Sequence, residues 1–343
     1  MVGAMIRLAT IGTSAITERF ADAVAQVAAG EHTPAADIRI DVAFSRDEGR
    51  GRAFADRLGI PGVATDLGAL LGSGAVDAVY VGSPNGAHAP QARAAIAAGI
   101  HVFLEKPATP TAAEFAALVE GGRAAGVVVF EGMRNVYDPG MLRVAQLLPE
   151  IGPVRLVSFG QSQYSARYDL VLAGETPAIF DPALAGGALF DLGVYPLSAA
   201  VHLFGAPASV SGSTVEIATG ADGAGAAVLA YPDHVAQISF SKIGVSHRPN
   251  EIQGELGTIE FDEVTQPREV ALSLRGGRRT AERVEGAENN MVYEVARFAA
   301  LVRGDADAAP DQDRTLAVLR AVEAIRGGTG SPPTRRAFRI QSG

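Results

Sequence analysis

Two segments place side chains that can move a proton on and off an oxygen atom. In Leu104-Glu105-Lys106-Pro107 a charged pair directly follows an apolar run. Pro107 biases Lys106 away from helix geometry, which holds its ammonium at a strand end. In Gly187-Ala188-Leu189-Phe190-Asp191-Leu192-Gly193-Val194-Tyr195 an acid and a phenol stand four apart, and on a helix over 187–201 they share one face. Oxidising a secondary alcohol needs a base for the hydroxyl proton and a cation or donor near the oxygen as charge develops. Tyr195 is the candidate acid–base group. Lys106 is the cation that stabilises its phenolate against an ordinary pKa of ~10 and bonds the reacting oxygen, and Asp191 positions lysine or substrate. Blander readings stay open: Asp191 as a helix-start acid facing free amides, and Tyr195 as a core residue. A further cluster of Gln163, Tyr164, Arg167, Tyr168 and Asp169 mixes aromatic and polar groups in the way sugar sites do, or is an exposed loop. Arg134 and Asn135 form a cleft wall or a salt bridge between domains. The substrate-binding candidates are thus Lys106, Arg134, Tyr164, Arg167, Asp191 and Tyr195.

These groups need elements to hold them. The first third alternates apolar runs with helical patterns: strands at 6–11, 38–44, 76–81, 102–104 and 127–130, and helices at 16–28, 47–58, 87–98 and 111–125. That alternation predicts a parallel sheet covered on both faces. Gly12-Thr13-Ser14-Ala15-Ile16 falls between the first strand and the first helix, where a glycine lets the backbone approach a pyrophosphate seated on the helix N-terminus. The motif is degenerate, with Ser14 at the usual second glycine, and Thr13 and Ser14 can instead cap the helix. Ser45-Arg46 ends the second strand, where an NAD site carries an acid. A hydroxyl and a guanidinium there suit the 2′-phosphate of NADP, with NAD possible. Ser83, Pro84 and Asn85, like Glu105 and Lys106, end parallel strands, where open sheets bind ligands. His88, on the next helix, joins this cofactor set or is structural.

After about residue 150 the pattern changes. Strands are predicted at 154–163, 210–217, 226–231, 236–241, 250–253, 258–261 and 270–274, a hairpin or loop over the Gly-Ala-rich 218–227, and helices at 290–302 and 311–325. The fold expected is an α/β Rossmann domain (1–130) followed by an α+β domain with a mostly antiparallel open sheet (131–343), the latter binding substrate and driving oligomerisation. The apolar strand at 226–231 needs cover on a face.

Bulk properties narrow the classes. A chain of 343 residues without cysteine has no disulfide, thiolate nucleophile or cysteine metal site. A net charge of -9 with no basic tract argues against nucleic acid and anionic membrane. No stretch reaches the ~18 uncharged apolar residues of a span without a Gly, Pro or charge breaking it, and residues 1–8 show no cleavage pattern, so a cytoplasmic protein is expected. The histidines at 32, 88, 101, 202, 234 and 247 have no metal spacing, and no G-x-S-x-G elbow or P-loop occurs.

The segments IGTSAI at 11–16, SRDEGRGRAFADRLGI at 45–60, VDAVYVGSPNGAHAPQARAAIAAGIHVFLEKP at 76–107, GGALFDLGVYPL at 186–197 and EIQGELGTIEF at 251–261 together carry a resemblance. Over almost its whole length the chain resembles the glucose-fructose oxidoreductase / inositol dehydrogenase / rhizopine catabolism (Gfo/Idh/MocA) family. The resemblance implies a Rossmann domain, a C-terminal sheet that often forms a subunit interface, and NAD or NADP used on hydroxyls and carbonyls of sugars, inositols and sugar nucleotides. It implies active-site roles for Lys106 and Asp191. Tyr195 stands where many members carry histidine, which places the chain with the dihydrodiol, xylose and glucose-fructose types and apart from the inositol dehydrogenases. The expected function is an NADP-preferring oxidoreductase, a homo-oligomer, acting on a polyhydroxylated small molecule. The alternatives are a nucleotide-binding sensor or scaffold, which has no need of Lys106, Asp191 and Tyr195, and a glycoside-cleaving member using transient oxidation by tightly bound NAD.

Overall fold

The computed structural model describes residues 5–328. Residues 1–4 and 329–343, the outer ends of both expected domains and half of the segment 1–8, lie outside the described residues.

The first sheet is built from β1 (Ile6–Ile11), β2 (Ile38–Phe44), β3 (Gly62–Ala64), β4 (Ala78–Val81), β5 (His101–Leu104) and β6 (Val129–Glu131). Its order is β3-β2-β1-β4-β5-β6, all parallel. Helices α1 (Ala15–Ala29), α2 (Glu48–Leu58), α3 (Leu67–Gly72), α4 (His88–Ala97) and α5 (Ala112–Ala125) cross between the strands. β4 is buried at every residue, as a strand covered on both faces must be. Local chemistry sets the helix starts: Asp47 accepts from the Arg50 amide and Thr111 from the Glu114 amide, each satisfying an orphan donor.

The chain then forms α6 (Pro139–Leu147), β7 (Val154–Ser162), α7 (Tyr168–Leu172), α8 (Val194–Phe204), β8 (Ser209–Glu216), β9 (Asp222–Ala230), β10 (Val235–Ser241), β11 (Asn250–Gly254), β12 (Gly257–Phe261), β13 (Glu269–Leu274) and β14 (Arg279–Arg283), closing with α9 (Met291–Arg303) and α10 (Ala309–Gly327). The second sheet runs β14-β13-β12-β11-β7-β10-β9-β8 and is antiparallel except where β10 meets β7. A Rossmann sheet followed by a mostly antiparallel sheet is the architecture expected.

Some details are finer than the expectation. The 218–227 stretch takes the hairpin form of the expectation: the chain turns over 217–221 between β8 and β9, which pair antiparallel, and β9 starts at Asp222. Its glycines answer to packing: a Cβ on Gly225 would lie 2.4 Å from the Phe240 ring, and one on Gly223 2.5 Å from Ile217. The apolar residues of 226–231 also find cover inside the chain. Ala227, Leu229 and Tyr231 join the core cluster that includes Leu197 of α8 and Val318 of α10, while Val228 faces outward. The stretch Pro182–Phe204 has the length and apolarity of a membrane span, but 78% of its most apolar 18-residue window is buried inside the protein.

Helix α9 returns to the first sheet. Phe20 of α1 stacks on Tyr80 of β4 at 3.7 Å, and Phe103 of β5 packs against Phe20, Phe130 and Phe298 of α9 at 5.0, 5.1 and 5.3 Å. Phe103 is therefore the centre of the joint between the chain's first and last thirds. Phe103→Ala is expected to destabilise by ~3–5 kcal/mol, read as a lower urea midpoint at unchanged slope. A loss under about 1 kcal/mol would show that the joint lies elsewhere.

Candidate active site

β1, β4 and β5 end side by side, and the turns after them form one wall of a cleft of about 520 Å³. Gly12 opens the first turn at φ +117, and a Cβ on it would lie 2.8 Å from the Gly82 carbonyl oxygen. The turns after β1 and β4 are thus in backbone contact. Ser14 occupies the N-cap position of α1 but makes no side-chain cap bond; its hydroxyl lies 3.1 Å from that of Thr17. The first-turn amides are left for another acceptor, which fits a dinucleotide pyrophosphate. Ser14 and Ile16 line the cleft, whereas Thr13 is half-buried and Ala15 exposed outside its lining. At the end of β2, Ser45 is buried with its Oγ accepting from the Asp47 amide at 3.3 Å, and Arg46 is exposed.

Ser83, Pro84, Asn85 and Glu105 line the cleft as expected. Asn85 donates to the Ala185 carbonyl at 2.9 Å, tying the turn after β4 to the second half of the chain. His88 is a correction. It is fully buried away from the cleft, with Nε2 2.8 Å from the Ser83 carbonyl and Nδ1 3.0 Å from that of Pro107. It ties the turns after β4 and β5 together and does not line the cleft. Glu105 accepts from the Tyr80 hydroxyl at 2.7 Å, and burial pushes its carboxyl up.

The opposite wall comes from the segment that leads into α8. Asp191 sits in a π-helical turn, Leu189–Gly193, rather than the regular helix expected over 187–201. Such wide turns often mark functional sites. Asp222 fixes this one by accepting from the Leu189 amide at 2.6 Å. Lys106 reaches across and donates to the Asp191 carbonyl at 2.8 Å and to Oδ1 at 2.9 Å. Lys242, from the end of β10, donates to Oδ2. Burial alone would lower the Lys106 pKa, but the charges of Asp191, Tyr195 and Glu105 lift it above the ordinary lysine range. Burial alone would raise the Asp191 carboxyl, and the two ammonium groups instead hold it well below the usual carboxylate range.

Tyr195 lines the same cleft, but its partner differs from the one expected. Arg134 Nε donates to the phenol oxygen at 3.2 Å, whereas Lys106 lies over the ring, 4.9 Å from its centroid. Arg134 is anchored in turn by Asn290 Oδ1 at 3.0 Å, so it is a cleft wall and not a salt bridge between domains. Asn135 is buried and structural, donating to the Tyr195 and Val264 carbonyls. Tyr164 and Arg167 are also corrected: both are exposed and neither lines the cleft, and the Tyr164 hydroxyl bonds Asp169. Gln161, Gln163 and Thr265 do line it. Lys242 escaped notice although it carries a signal. Lys106 and Lys242 are the only lysines among 29 lysine and arginine residues.

A dinucleotide-shaped turn facing a lysine, a carboxylate and a phenol supports hydride chemistry on an alcohol, which puts the protein among nicotinamide-dependent oxidoreductases. Comparisons with known proteins agree. Residues 6–133 match the oxidoreductase family with an NAD-binding Rossmann fold, and residues 143–260 match the GFO/IDH/MocA C-terminal domain. The scyllo-inositol 2-dehydrogenase (NADP(+)) IolU of Bacillus subtilis is 34% identical over 328 residues, covering 95% of this chain and 98% of that protein. The D-xylose 1-dehydrogenase (NADP(+)) 2 of Haloferax volcanii is 32% identical over 323 residues, covering 92% and 94%. The crystal structure of KijD10, a 3-ketoreductase from Actinomadura kijaniata in complex with TDP-benzene and NADP, superposes with a TM-score of 0.80 at 25% identity, covering 95% of this chain and 98% of that one. The chain belongs to the GFO/IDH/MocA family and is an NAD(P)-dependent oxidoreductase.

The contact between Gly12 and Gly82 sets a test of the cofactor wall. Gly12→Ala must separate the two turns, so NADPH affinity by fluorescence titration is expected to fall at least about tenfold while the protein stays folded. Unchanged affinity would remove this turn from the cofactor site.

Proposed function

We propose that the protein transfers hydride between NADP and a hydroxyl or carbonyl carbon of a sugar, polyol or related small molecule. The observation that carries this reading is the convergence of Lys106, Asp191, Arg134 and Tyr195 on a cleft whose other wall is the Gly12 and Ser83–Asn85 turns. NADP, when bound there, supplies or accepts the hydride. The chain's own groups handle the proton and the charge. Lys106 has three donors and spends two on Asp191, leaving one for the substrate oxygen. The Tyr195 hydroxyl exchanges the substrate proton, and Arg134 orients it through Nε. The fixed cations stabilise negative charge on that oxygen without reorganising. Gln161, Gln163 and Thr265 are placed to read further hydroxyls.

Ser45 and Arg46 support a preference for NADP, as do the NADP names of two relatives. The scyllo-inositol name of one relative keeps cyclic polyols among the candidate substrates, against the expectation drawn from Tyr195. A cytoplasmic setting, where NADP(H) circulates, belongs to this reading. So does self-association through the outward face of the second sheet, a concavity lined by residues such as Ser213, Val228 and Ser239.

Three outcomes follow. Tyr195→Phe keeps the ring and removes the proton carrier, and is expected to lower kcat by ~10²–10⁴-fold. Near-wild-type turnover would send the proton elsewhere. Arg46→Ala is expected to weaken NADPH binding and spare NADH, whereas equal loss for both cofactors would contradict contact with the 2′-phosphate. Sedimentation at micromolar concentration is expected to show a dimer or larger species; a lone 35.3 kDa species would refute self-association.

A further inference from the structure

The chain meets almost every need for a cation with arginine. Its only two lysines, 136 positions apart in sequence, donate to opposite oxygens of one carboxylate, that of Asp191. Lys106 faces the cleft. Lys242 does not line it and lies behind the acid, its side chain 8% exposed. The backbone holds Lys242 from both sides: its amide donates to the Gly223 carbonyl at 2.8 Å, and its carbonyl accepts from the Ser165 amide at 2.9 Å. The residue before Gly223 is Asp222, which fixes the π-helical turn carrying Asp191. One end of β9 therefore sets both the acid and the second lysine. A buried ammonium loses hydration that only a good partner restores, so a lysine kept here for packing alone would be costly.

Resting on the hydride-transfer reading of the cleft, we propose that Lys242 is a positioning residue for the reaction, holding Asp191 ionised and oriented so that Lys106 is free to bond the substrate oxygen. Without Lys242, Asp191 would have Lys106 as its sole cation, and the pair would close on itself. One carboxylate between two ammonium groups leaves a net positive charge at the corner where an alkoxide develops. The other charged or titratable groups around this corner stay in place when Lys242 changes. They are Glu105 beside Lys106, Tyr195 and its partner Arg134 beyond Lys106, and Asp222 beneath the Leu189 amide.

The test compares kcat, KM and pH profiles of the holoenzyme and its variants with NADP and the best oxidisable substrate. Lys242→Met keeps the length and removes the charge. It is expected to lower kcat about 10- to 100-fold with little change in the KM for NADP. Activity is expected to fall on the acid side as Asp191 takes up a proton, and in this variant that acid limb should move to higher pH, because Asp191 loses one of the two charges that keep it ionised. Lys242→Arg keeps the charge and should leave the acid limb where the wild type has it. Lys242→Gln, which keeps a donor, serves if the methionine variant does not fold, and should move the limb in the same direction. In an Asp191→Asn background, Lys242→Met should add little. An unshifted acid limb in both neutral variants, or a full additive loss in the Asp191→Asn background, would overturn the role of Lys242. If Asp191→Asn alone kept wild-type turnover, the reading of the cleft would fall, and this inference with it.

Discussion

The bond between Lys106 and Asp191 is the constraint on which the rest of the structure depends. It joins the end of a parallel strand in the first sheet to the turn leading into α8 against the second. Three charged groups meet there in a largely buried place, and none is tolerable alone. A buried ammonium or carboxylate without a partner would discharge or draw in water. Together they compensate one another, and the two ammonium groups against one carboxylate leave a surplus of positive charge facing the cleft. That surplus suits an oxygen gaining negative charge.

Each layer of the fold serves this corner. The all-parallel sheet brings the turns after β1, β4 and β5 to one edge, and Gly12 and Gly82 let two of them touch. His88 and Asn85 hold those turns to each other and to the second half of the chain. The second sheet supplies Asp222, Lys242 and Gln161 from strand ends on the same side. Helix α9 closes the first sheet and brings Glu294 below the cleft. Burial and the neighbouring Glu105 push the Glu294 carboxyl well up.

Much of this was legible in the residues. Periodicity found the parallel sheet because fully buried strands read as unbroken apolar runs. Lys106, Asp191 and Tyr195 could be singled out because strand ends and short spacings are local properties, although the regular helix expected around Asp191 is a π-helical turn. What escaped depends on contacts between distant segments. Arg134 and Tyr195 are 61 apart in sequence, and nothing local says that this guanidinium, not Lys106, bonds the phenol. Tyr164 and Arg167 had suitable chemistry, but the chain turns them outward, and Gln161 and Gln163 of the same segment face the cleft instead. β14 was missed because Arg279–Arg283 is exposed throughout and has no apolar alternation. Lys242 was detectable from composition alone, as one of two lysines in a chain otherwise supplied with arginine.

Hydride transfer from a carbon bound in this cleft to a nicotinamide that is then released can be followed by isotope label. The direct measurement uses aldoses, inositols, dihydrodiols and sugar nucleotides deuterated at the carbinol carbon, each incubated with the protein and excess NADP. One of these classes is expected to give NADPH carrying the deuterium, in amounts equal to the ketone or lactone formed and many times the enzyme present. Substrate consumed with no net change in the nicotinamide, or reduced cofactor without the label, would contradict it and point to transient oxidation by a retained cofactor instead.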